Sequence, residues 1–210
     1  MTQMLLSQAP KLRVVIFDLG NVLIQWDPRF LYRKIFPDTR DMEYFLTEVC
    51  SPEWNLGQDR GRSFAEAIAE ATKCHPTYHS EIAAWFTRFD EMIPGAIEGT
   101  IKLLEDLKAR HIPCYALSNW SAETFYKTRP RFAFLNLFDG LMISGEERLI
   151  KPDPAFYHLI CQRYSFQPDE AVFIDDSAAN IAAAIALGFQ SILFKDANQT
   201  RAALIRLGLL

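Results

Sequence analysis

The sequence predicts an α/β fold with a parallel sheet at its centre and a helical domain inserted into it. Two observations predict this architecture. Short apolar runs alternate with amphipathic helical segments along most of the chain, a pattern typical of strands that helices cover on both faces. One long stretch, residues 25–92, interrupts the alternation and carries helical patterns alone.

Five apolar runs are the candidate strands of this sheet. Each run is short, rich in apolar residues and nearly unbroken by polar side chains, as expected of a strand buried on both faces. In chain order the runs are RVVIFD (13–18), IPCYALS (112–118), DGLMIS (139–144), AVFID (171–175) and SILF (191–194). The third run is the weakest candidate of the five.

Helices are predicted between the later strands, at residues 96–110, 154–164 and 177–188. The first of them places apolar side chains on one stripe. The second opens with Pro154, which suits the first position of a helix. The third begins at a serine cap and ends at Gly188, since glycine commonly terminates a helix. Strands and helices in this alternation favour a doubly wound α/β domain.

Residues 25–92 are predicted to form a separate helical domain. Four segments have amphipathic helical patterns, FLYRKIF, MEYFLTEVC, SFAEAIAEAT and EIAAWFTRF, whereas residues 51–62 have the character of a loop. Because the block follows the first strand directly, we expect it above the carboxyl ends of the strands, where ligands bind in open α/β sheets. The prediction is a core domain of residues 1–24 and 93–210 with a cap domain of residues 25–92. The alternative is a block that only adds packing and has no role at a site.

The composition argues against several classes of function. The chain has 210 residues and a formal net charge of −4, so it lacks the basic footprint of a nucleic-acid-binding protein. No apolar run approaches the ~18 residues of a transmembrane helix. The four cysteines form neither a C-x-x-C pair nor a zinc-ligand spacing. We therefore expect a cytoplasmic protein with a small-molecule substrate and no nucleic-acid or membrane partner; the oligomeric state is not predicted.

Polar side chains stand where several predicted strands end. Asp18 ends the first strand, Ser118 ends the second, and Asp175 and Asp176 end a later one, while Lys151 follows a loop and precedes a proline. Because the carboxyl ends of parallel strands open onto one edge of a sheet, we expect these side chains to converge in one crevice.

The predicted crevice has the composition of a phosphate site. Three aspartates at one edge repel each other, and a divalent cation is the expected remedy. Carboxylate oxygens suit Mg²⁺, which proteins hold with one or two carboxylates, waters and substrate phosphate. Lys151 adds a positive charge and Ser118 a hydroxyl donor. Singly, each residue is equally well explained as a cap, a turn residue or a surface lysine, so the prediction rests on their joint occurrence.

Four segments of the chain resemble the motifs of a known family. FDLGNVL, ALSNW, LIKPDPAFY and VFIDDSAANIAAAIALG are similar to the four motifs of the haloacid dehalogenase (HAD) superfamily of hydrolases, and the matches run from about residue 13 to residue 195. The resemblance implies a Rossmann-like core with a helical cap inserted after the first strand. It implies a reaction in which Asp18 is the nucleophile and forms an aspartyl-phosphate.

The same resemblance implies a set of Mg²⁺ ligands. Asp18, the backbone carbonyl of Gly20 and Asp175 would bind the ion, and Asp176 would bind it directly or through water. Catalysis would then consist mainly of positioning and electrostatic stabilisation.

Further residues receive roles at the phosphoryl group and the substrate. Ser118, Lys151 and the amide region of Asn119 would hold the phosphoryl oxygens, so the expected catalytic residues are Asp18, Ser118 and Lys151. A single sequence gives only candidates for the residues that select the substrate. The candidates for substrate contacts are Trp26, Trp54, Asn55, Arg60 and Trp120, together with Asn119.

Gly20 departs from the pattern of most phosphatases in the family, which have a second aspartate two residues after the nucleophile. That aspartate protonates the leaving alcohol and later activates water, and such help is worth about 10²–10⁴-fold. We predict a phosphatase. Because Gly20 cannot donate a proton, the expected substrates are those with good leaving groups, such as sugar 1-phosphates, acyl phosphates or aryl phosphates. Another group, Asp27 or a bound water, would otherwise supply the proton.

Two alternatives stay open at the level of the sequence. A 2-haloacid dehalogenase needs no leaving-group proton, and four indoles, those of Trp26, Trp54, Trp85 and Trp120, could line its pocket. The chain resembles that branch less well. Dehalogenases carry an aromatic residue followed by Gly-Thr after the nucleophile, and they lack the metal-binding aspartate pair that Asp175 and Asp176 form here. The other alternative is a non-catalytic binding module on the same scaffold.

Overall fold

The computed structural model describes residues 12–210, and its centre is one parallel sheet. The strands are β1 (Val14–Phe17), β2 (Cys114–Ser118), β3 (Gly140–Ile143), β4 (Ala171–Asp175) and β5 (Gln190–Leu193), in the spatial order β3-β2-β1-β4-β5. All five predicted strands are confirmed, the weakest candidate included. The first eleven residues of the predicted core domain lie outside the described residues.

Strand β1 is central, and this position explains its uninterrupted apolar sequence. It pairs in parallel with β2 through Val15 and Cys114 and with β4 through Val14 and Ala171. All four of its residues are buried, because helices cover both faces of the sheet. Since β1 and β4 are neighbours, the residues that follow them emerge at the same edge.

Helices alone occupy the chain between Arg29 and Met92. They are α1 (Arg29–Tyr32), α2 (Thr39–Tyr44), which continues as a π-helical turn at Phe45–Val49, α3 (Pro52–Asp59), α4 (Phe64–Cys74) and α5 (His79–Thr87), with 3₁₀ turns at Pro76–Tyr78 and Phe89–Met92. The four predicted helical segments overlap α1, α2 with its π turn, α4 and α5. We call residues 25–92 the insert.

Helix α3 corrects the prediction of a loop over residues 51–62. The Ser51 hydroxyl accepts a hydrogen bond from the Trp54 backbone N–H, and Pro52 occupies the first helical position. These are ordinary start signals for a helix. The segment lacks a clear apolar stripe, and two glycines and several polar residues gave it the character of a loop.

The later helices lie between and after the remaining strands. They are α6 (Glu98–Ala109), α7 (Ala122–Thr128), α8 (Ser144–Glu147), α9 (Pro154–Tyr164), α10 (Ala178–Ala186) and α11 (Ala197–Arg206). Helix α9 begins at the predicted proline, and α10 begins after the predicted cap, Ser177, whose hydroxyl accepts from the Asn180 backbone N–H. No helix in residues 12–210 combines the length and apolar character needed to cross a membrane.

Two apolar clusters cover the two faces of the sheet. One contains Val14 and Ile16 of β1 with side chains of α9 and α10. The other contains Val15 and Phe17 and continues into the insert, where Trp85 is one of its members. The alternation along β1 thus divides its side chains between the faces, and one cluster joins the sheet to the insert.

The insert leaves and rejoins the rest of the chain at adjacent points. Ile24 and Ala96 form an antiparallel bridge. On either side of it, the Gln25 N–H donates to the Gly95 carbonyl at 3.0 Å, and the Ile97 N–H donates to the Leu23 carbonyl at 2.8 Å. The two connections therefore run side by side next to the end of β1.

Candidate active site

A buried cluster of charges lies at the carboxyl ends of β1 and β4. The Lys151 Nζ atom is 2.9 Å from Asp18 Oδ1 and 2.7 Å from Asp175 Oδ2. All three residues are buried. Burial lowers the pKa of Lys151, but the two carboxylates outweigh it and raise that pKa overall. The predicted convergence of these distant residues is present in the structure.

Hydrogen bonds fix Asp175 within this cluster. Its Oδ1 atom accepts from the Ser177 backbone N–H at 2.8 Å, and the Asn180 side-chain amide lies 3.0 and 3.1 Å from its two oxygens. Asn180 stands in the first turn of α10, so the helix start and the carboxylate hold each other in place. The sequence prediction did not include Asn180, although its position after a serine cap was a usable signal.

Asn119 holds the backbone of Lys151. Its side-chain Nδ2 donates to the Lys151 carbonyl at 2.9 Å, and its Oδ1 accepts from the Lys151 N–H at 2.8 Å. Both ends of the amide are therefore occupied by one residue. Asn119 was predicted as a substrate contact, and the geometry gives its side chain a positioning role for Lys151.

The remaining predicted residues of β2 and the loop after it are buried. Ser118 ends β2 and is 1% exposed. Trp120 donates its backbone N–H to the Ser144 hydroxyl at 2.9 Å and its indole N–H to the Thr124 hydroxyl at 3.1 Å. The indole nitrogen of Trp120 is thus satisfied within the protein, and its ring is what faces the cavity described below.

The acidic residues of the cluster fit a divalent cation. Asp18, Asp175 and Asp176 each offer a carboxylate oxygen, and these oxygens all lie within 4.8 Å of one another. Lys151 balances only one of the three charges. Burial raises the pKa of Asp18, the Lys151 ammonium opposes the rise, and the negative charge of Asp175 adds to it. An oxygen-rich site with excess negative charge is the environment that Mg²⁺ prefers.

A crevice of about 470 Å³ opens between the strand ends and the insert. We call it the outer crevice. Its core wall includes Asp18, Gly20 and Asp176, and its insert wall includes Asn55, Asp59 and Trp85. Next to it lies a smaller cavity of about 90 Å³, the inner pocket, which Trp26, Phe89 and Trp120 line with their aromatic rings. Gly20, Trp26, Asn55, Asp59 and Asn119 line both spaces.

Gly20 occupies ordinary backbone space. A Cβ atom placed on it would meet no atom within 4 Å, and its φ lies outside the left-handed region. The residue is therefore not required by the conformation of the loop. The backbone and the space at this position therefore accept the Cβ atom of a side chain such as aspartate.

The tryptophans of the insert are divided between the cavity and the packing. Trp26 lines both spaces and Trp85 lines the outer crevice. Trp54 packs edge-on against Trp85 at 5.3 Å between ring centroids and donates its indole N–H to the Ala67 carbonyl. The four indoles therefore do not form one pocket.

Asp27 faces a different part of the surface from the buried cluster. Its carboxylate accepts from the Arg29 backbone N–H at 2.9 Å and lies 3.4 Å from the Arg29 guanidinium. The groove that it lines contains Gln25 and Phe30 and does not contain Asp18. Of the two proton donors considered from the sequence, this one is directed toward the arginine.

Asp59 is a site residue that the sequence prediction missed. It ends α3, is 7% exposed, and lines both the outer crevice and the inner pocket. The Asn55 side-chain amide donates to its Oδ2 atom at 3.2 Å. Recognition of the Ser-Pro start of α3 would have placed Asp59 at a helix end, but its burial against the core depends on tertiary packing.

The family comparison supports a hydrolase. The family model of haloacid dehalogenase-like hydrolases matches residues 12–188. Among curated proteins, the sesquiterpene phosphatase astK of Aspergillus oryzae is 28% identical over 199 residues, covering 90% of this chain and 92% of that protein. The phosphorylated carbohydrates phosphatase of Thermotoga maritima is 25% identical over 189 residues, covering 86% of this chain and 84% of that protein.

A longer relative shares the highest identity of these three. The acyl-CoA dehydrogenase family member 10 of Mus musculus is 44% identical over 196 residues, which make up 86% of this chain. The match spans 18% of the mouse protein. The chain therefore corresponds to one part of that larger protein.

Solved structures share the fold described above. A HAD family enzyme of Bacteroides thetaiotaomicron, in complex with magnesium and inorganic phosphate, superimposes with a TM-score of 0.67 at 24% identity, covering 88% of this chain and 95% of that chain. The L-2-haloacid dehalogenase of Xanthobacter autotrophicus gives 0.61 at 15% identity, covering 93% and 83%. Because the family model matches residues 12–188, most of the sequence, the chain belongs to the haloacid dehalogenase-like hydrolases.

Proposed function

We propose that this chain is a Mg²⁺-dependent phosphatase of small phosphorylated metabolites that works through an aspartyl-phosphate on Asp18. The observation that carries the proposal is the set of three neighbouring carboxylates, Asp18, Asp175 and Asp176, with Lys151 between two of them. An enzyme that only displaces a halide has no need of the excess negative charge that this set retains. The similarity to two phosphatases over most of the chain supports the same reaction.

The residues of the core wall would bind the phosphoryl group. Asp18, Asp175, Asp176 and the carbonyl of Gly20 would hold Mg²⁺, which would offset the negative charge of the phosphate when bound. Lys151 would hold a phosphoryl oxygen while it keeps Asp18 oriented through the 2.9 Å contact. The Ser118 hydroxyl at the end of the neighbouring strand would donate to another phosphoryl oxygen.

The reaction has two steps at phosphorus. In the first, the Asp18 carboxylate forms a bond to phosphorus as the bond from phosphorus to the leaving oxygen breaks. In the second, water adds to the same phosphorus and the bond to Asp18 breaks, which releases inorganic phosphate and restores the carboxylate. Both steps depend on the alignment of the reacting atoms more than on further covalent chemistry.

The insert would act as a cap domain on a core of residues 1–24 and 93–210. Its residues form one wall of the outer crevice, which favours a role in choosing the substrate. Trp26 and Trp120 would contact the organic part of the substrate through the inner pocket. A cytoplasmic location is a further prediction, which rests on the cysteine pattern of the sequence.

A dehalogenase is the second candidate because Gly20 offers no proton to a leaving group and the inner pocket has aromatic walls. In that reaction Asp18 would displace halide from carbon and form an ester. The two candidates differ in their need for metal. The phosphatase would use a cation to offset the charge of three acidic side chains around one point, whereas the dehalogenase would need none.

One experiment separates these candidates. The purified protein is assayed with 4-nitrophenyl phosphate and with 2-chloropropionate, each with added Mg²⁺ and with EDTA. We expect phosphate release that EDTA abolishes and Mg²⁺ restores. Metal-independent halide release would instead support the dehalogenase, and no turnover of a broad panel of phosphate esters and haloacids would support a binding module.

The nucleophile is tested by Asp18→Asn. Loss of the attacking carboxylate should lower turnover by roughly 10⁴-fold or more, as for other essential nucleophiles. Circular dichroism and the urea unfolding curve should show a folded protein, with Asp38→Asn on the surface as the control variant. Full activity of Asp18→Asn would end the assignment of the nucleophile.

A further inference from the structure

The proposed phosphatase lacks a proton donor at the place where most members of its family have one. Breaking the bond to an alcohol leaves an alkoxide, which needs a proton as it departs. Gly20 has no side chain to give it, and Asp27 is held by Arg29 in another groove. A titratable side chain that reaches the same cavity as Asp18 would fill this role.

We propose that Asp59, contributed by the insert, is the general acid and base of the reaction. The proposal rests on the proposed function, since it assumes phosphoryl transfer to Asp18. Asp59 lines the outer crevice together with Asp18 and Gly20, and it also lines the inner pocket. It thus stands where the leaving group, lying in the inner pocket, would be joined to a phosphoryl group held at the core wall.

The surroundings of Asp59 suit a proton donor better than an ion-pair partner. It is 7% exposed, and none of the ion pairs among residues 12–210 includes it. Its Oδ2 atom accepts from the neutral amide of Asn55 at 3.2 Å. A buried carboxyl without a cationic partner is most easily accommodated in its neutral form, which is the form that donates a proton.

The electrostatics of the crevice act in the same direction. Burial raises the pKa of Asp59 to about 7; the Ser121 backbone N–H and the charge of Lys151 oppose the rise, and the negative charge of Asp18 adds to it. A general acid with a pKa near the working pH can give its proton and take another back within one cycle. The Asn55 amide, one turn earlier on α3, keeps the carboxyl in a fixed orientation.

The proton balance of the cycle closes with Asp59 alone. As Asp18 forms its bond to phosphorus, the bond from phosphorus to the leaving oxygen breaks and the Asp59 proton passes to that oxygen, so a neutral alcohol leaves. Asp59 is then a carboxylate. When water attacks the aspartyl-phosphate, its proton passes to Asp59 as the bond between phosphorus and Asp18 breaks, and phosphate departs.

The first test compares two leaving groups of similar size. Benzyl phosphate releases an alkoxide that needs a proton, and 4-nitrophenyl phosphate releases a stable phenolate that does not. We expect Asp59→Asn to lower kcat/KM for benzyl phosphate by about 10²–10⁴-fold and for 4-nitrophenyl phosphate by less than about 10-fold. Asp27→Asn, at a half-buried aspartate that lines another groove, is the matched control and should change neither value. An equal loss with both substrates in Asp59→Asn would overturn the proposal.

Hydrolysis of the aspartyl-phosphate, the second step, provides a separate test of Asp59. With 4-nitrophenyl phosphate, Asp59→Asn should release a rapid burst of one nitrophenolate per site, followed by slow turnover. The slow phase is expected because no base activates the water that attacks the aspartyl-phosphate. Linear release without a burst, at the rate of the unchanged protein, would contradict the role of Asp59 in this step.

A second variant does not require Asp59→Asn to fold. In Gly20→Asp the new Cβ atom meets no atom within 4 Å, and the variant places an acid at the usual family position. If Asp59 is already the acid, Gly20→Asp alone should raise kcat/KM for benzyl phosphate by less than about 10-fold, and in Asp59→Asn it should recover most of the loss. A gain of about 10²-fold or more from Gly20→Asp alone would show that the unchanged protein has no acid and would overturn the proposal.

These outcomes are separate from those that test the proposed function. If the unchanged protein shows no Mg²⁺-dependent phosphatase activity, or if Asp18→Asn is fully active, the phosphatase itself is wrong. If both of those results are as expected and the two leaving groups respond equally to Asp59→Asn, only the role of Asp59 is wrong.

Discussion

The two walls of the outer crevice hold their charges in different ways. On the core wall, Asp18 and Asp175 share the Lys151 ammonium, and backbone and side-chain hydrogen bonds fix Asp175 further. On the insert wall, Asp59 has a neutral amide beside it and aromatic rings nearby. Under the proposed function, the core would bind the phosphoryl group that every substrate shares, and the insert would act on the group that leaves.

The largest expected effect comes from removing the Lys151 ammonium from the core wall, and it concerns the free energy of unfolding. Lys151→Met leaves two buried carboxylates without their partner, which should cost about 3–5 kcal/mol in the free energy of unfolding, measured by urea denaturation. Lys102→Met, at an exposed lysine that pairs with Asp106 on the surface, should cost less than about 1 kcal/mol. Equal losses for the two variants would mean that the buried cluster is not held by Lys151.

A smaller effect is expected from loosening the core wall without removing a charge. Asn180→Ala deletes the amide that contacts both oxygens of Asp175, so the carboxylate loses its fixed orientation. We expect the Mg²⁺ concentration for half-maximal activity to rise about 10–100-fold while saturating Mg²⁺ restores most of kcat. Asn136→Ala, at an exposed asparagine, is the control. An unchanged Mg²⁺ requirement in Asn180→Ala would remove Asn180 from the metal site.

The smallest effect is expected from a change on the insert wall that leaves the core wall intact. Trp26→Ala removes a ring that lines both cavities, so kcat/KM for benzyl phosphate should fall about 10-fold through lost contact with the benzyl group. Inhibition by inorganic phosphate should stay the same, because under the proposed function phosphate would bind at the core wall. A matching change in phosphate inhibition would mean that the two walls do not act separately.

The sequence and the structure agree best where strands end. Each strand of the parallel sheet is a short apolar run, and the polar residue at its end is placed by the topology alone. The sequence could therefore predict that Asp18 and Asp175 lie at the same edge of the sheet. The structure brings them close together because β1 and β4 are neighbours. Lys151 was harder to place, because it follows a loop rather than ending a strand, and the family resemblance gave independent support for its position.

The insert wall was beyond reach of the same reasoning. The polar segment that became α3 has a weak helical pattern, so Asp59 stood in a predicted loop with no reason to be buried. Its burial comes from the packing of the insert on the loop after β2, a contact between segments about sixty residues apart in the chain. The free space around Gly20 is likewise a property of the assembled site, which the sequence alone does not show.

The paired connections of the insert have an evolutionary consequence. The bridge between Ile24 and Ala96 brings the two ends of a long excursion to a single point beside β1. The entropy of closing a loop depends only weakly on its length when its ends are already joined. An insert of another length could therefore replace residues 25–92 at this point with little added cost in loop-closure entropy, while the sheet and its charges stayed unchanged.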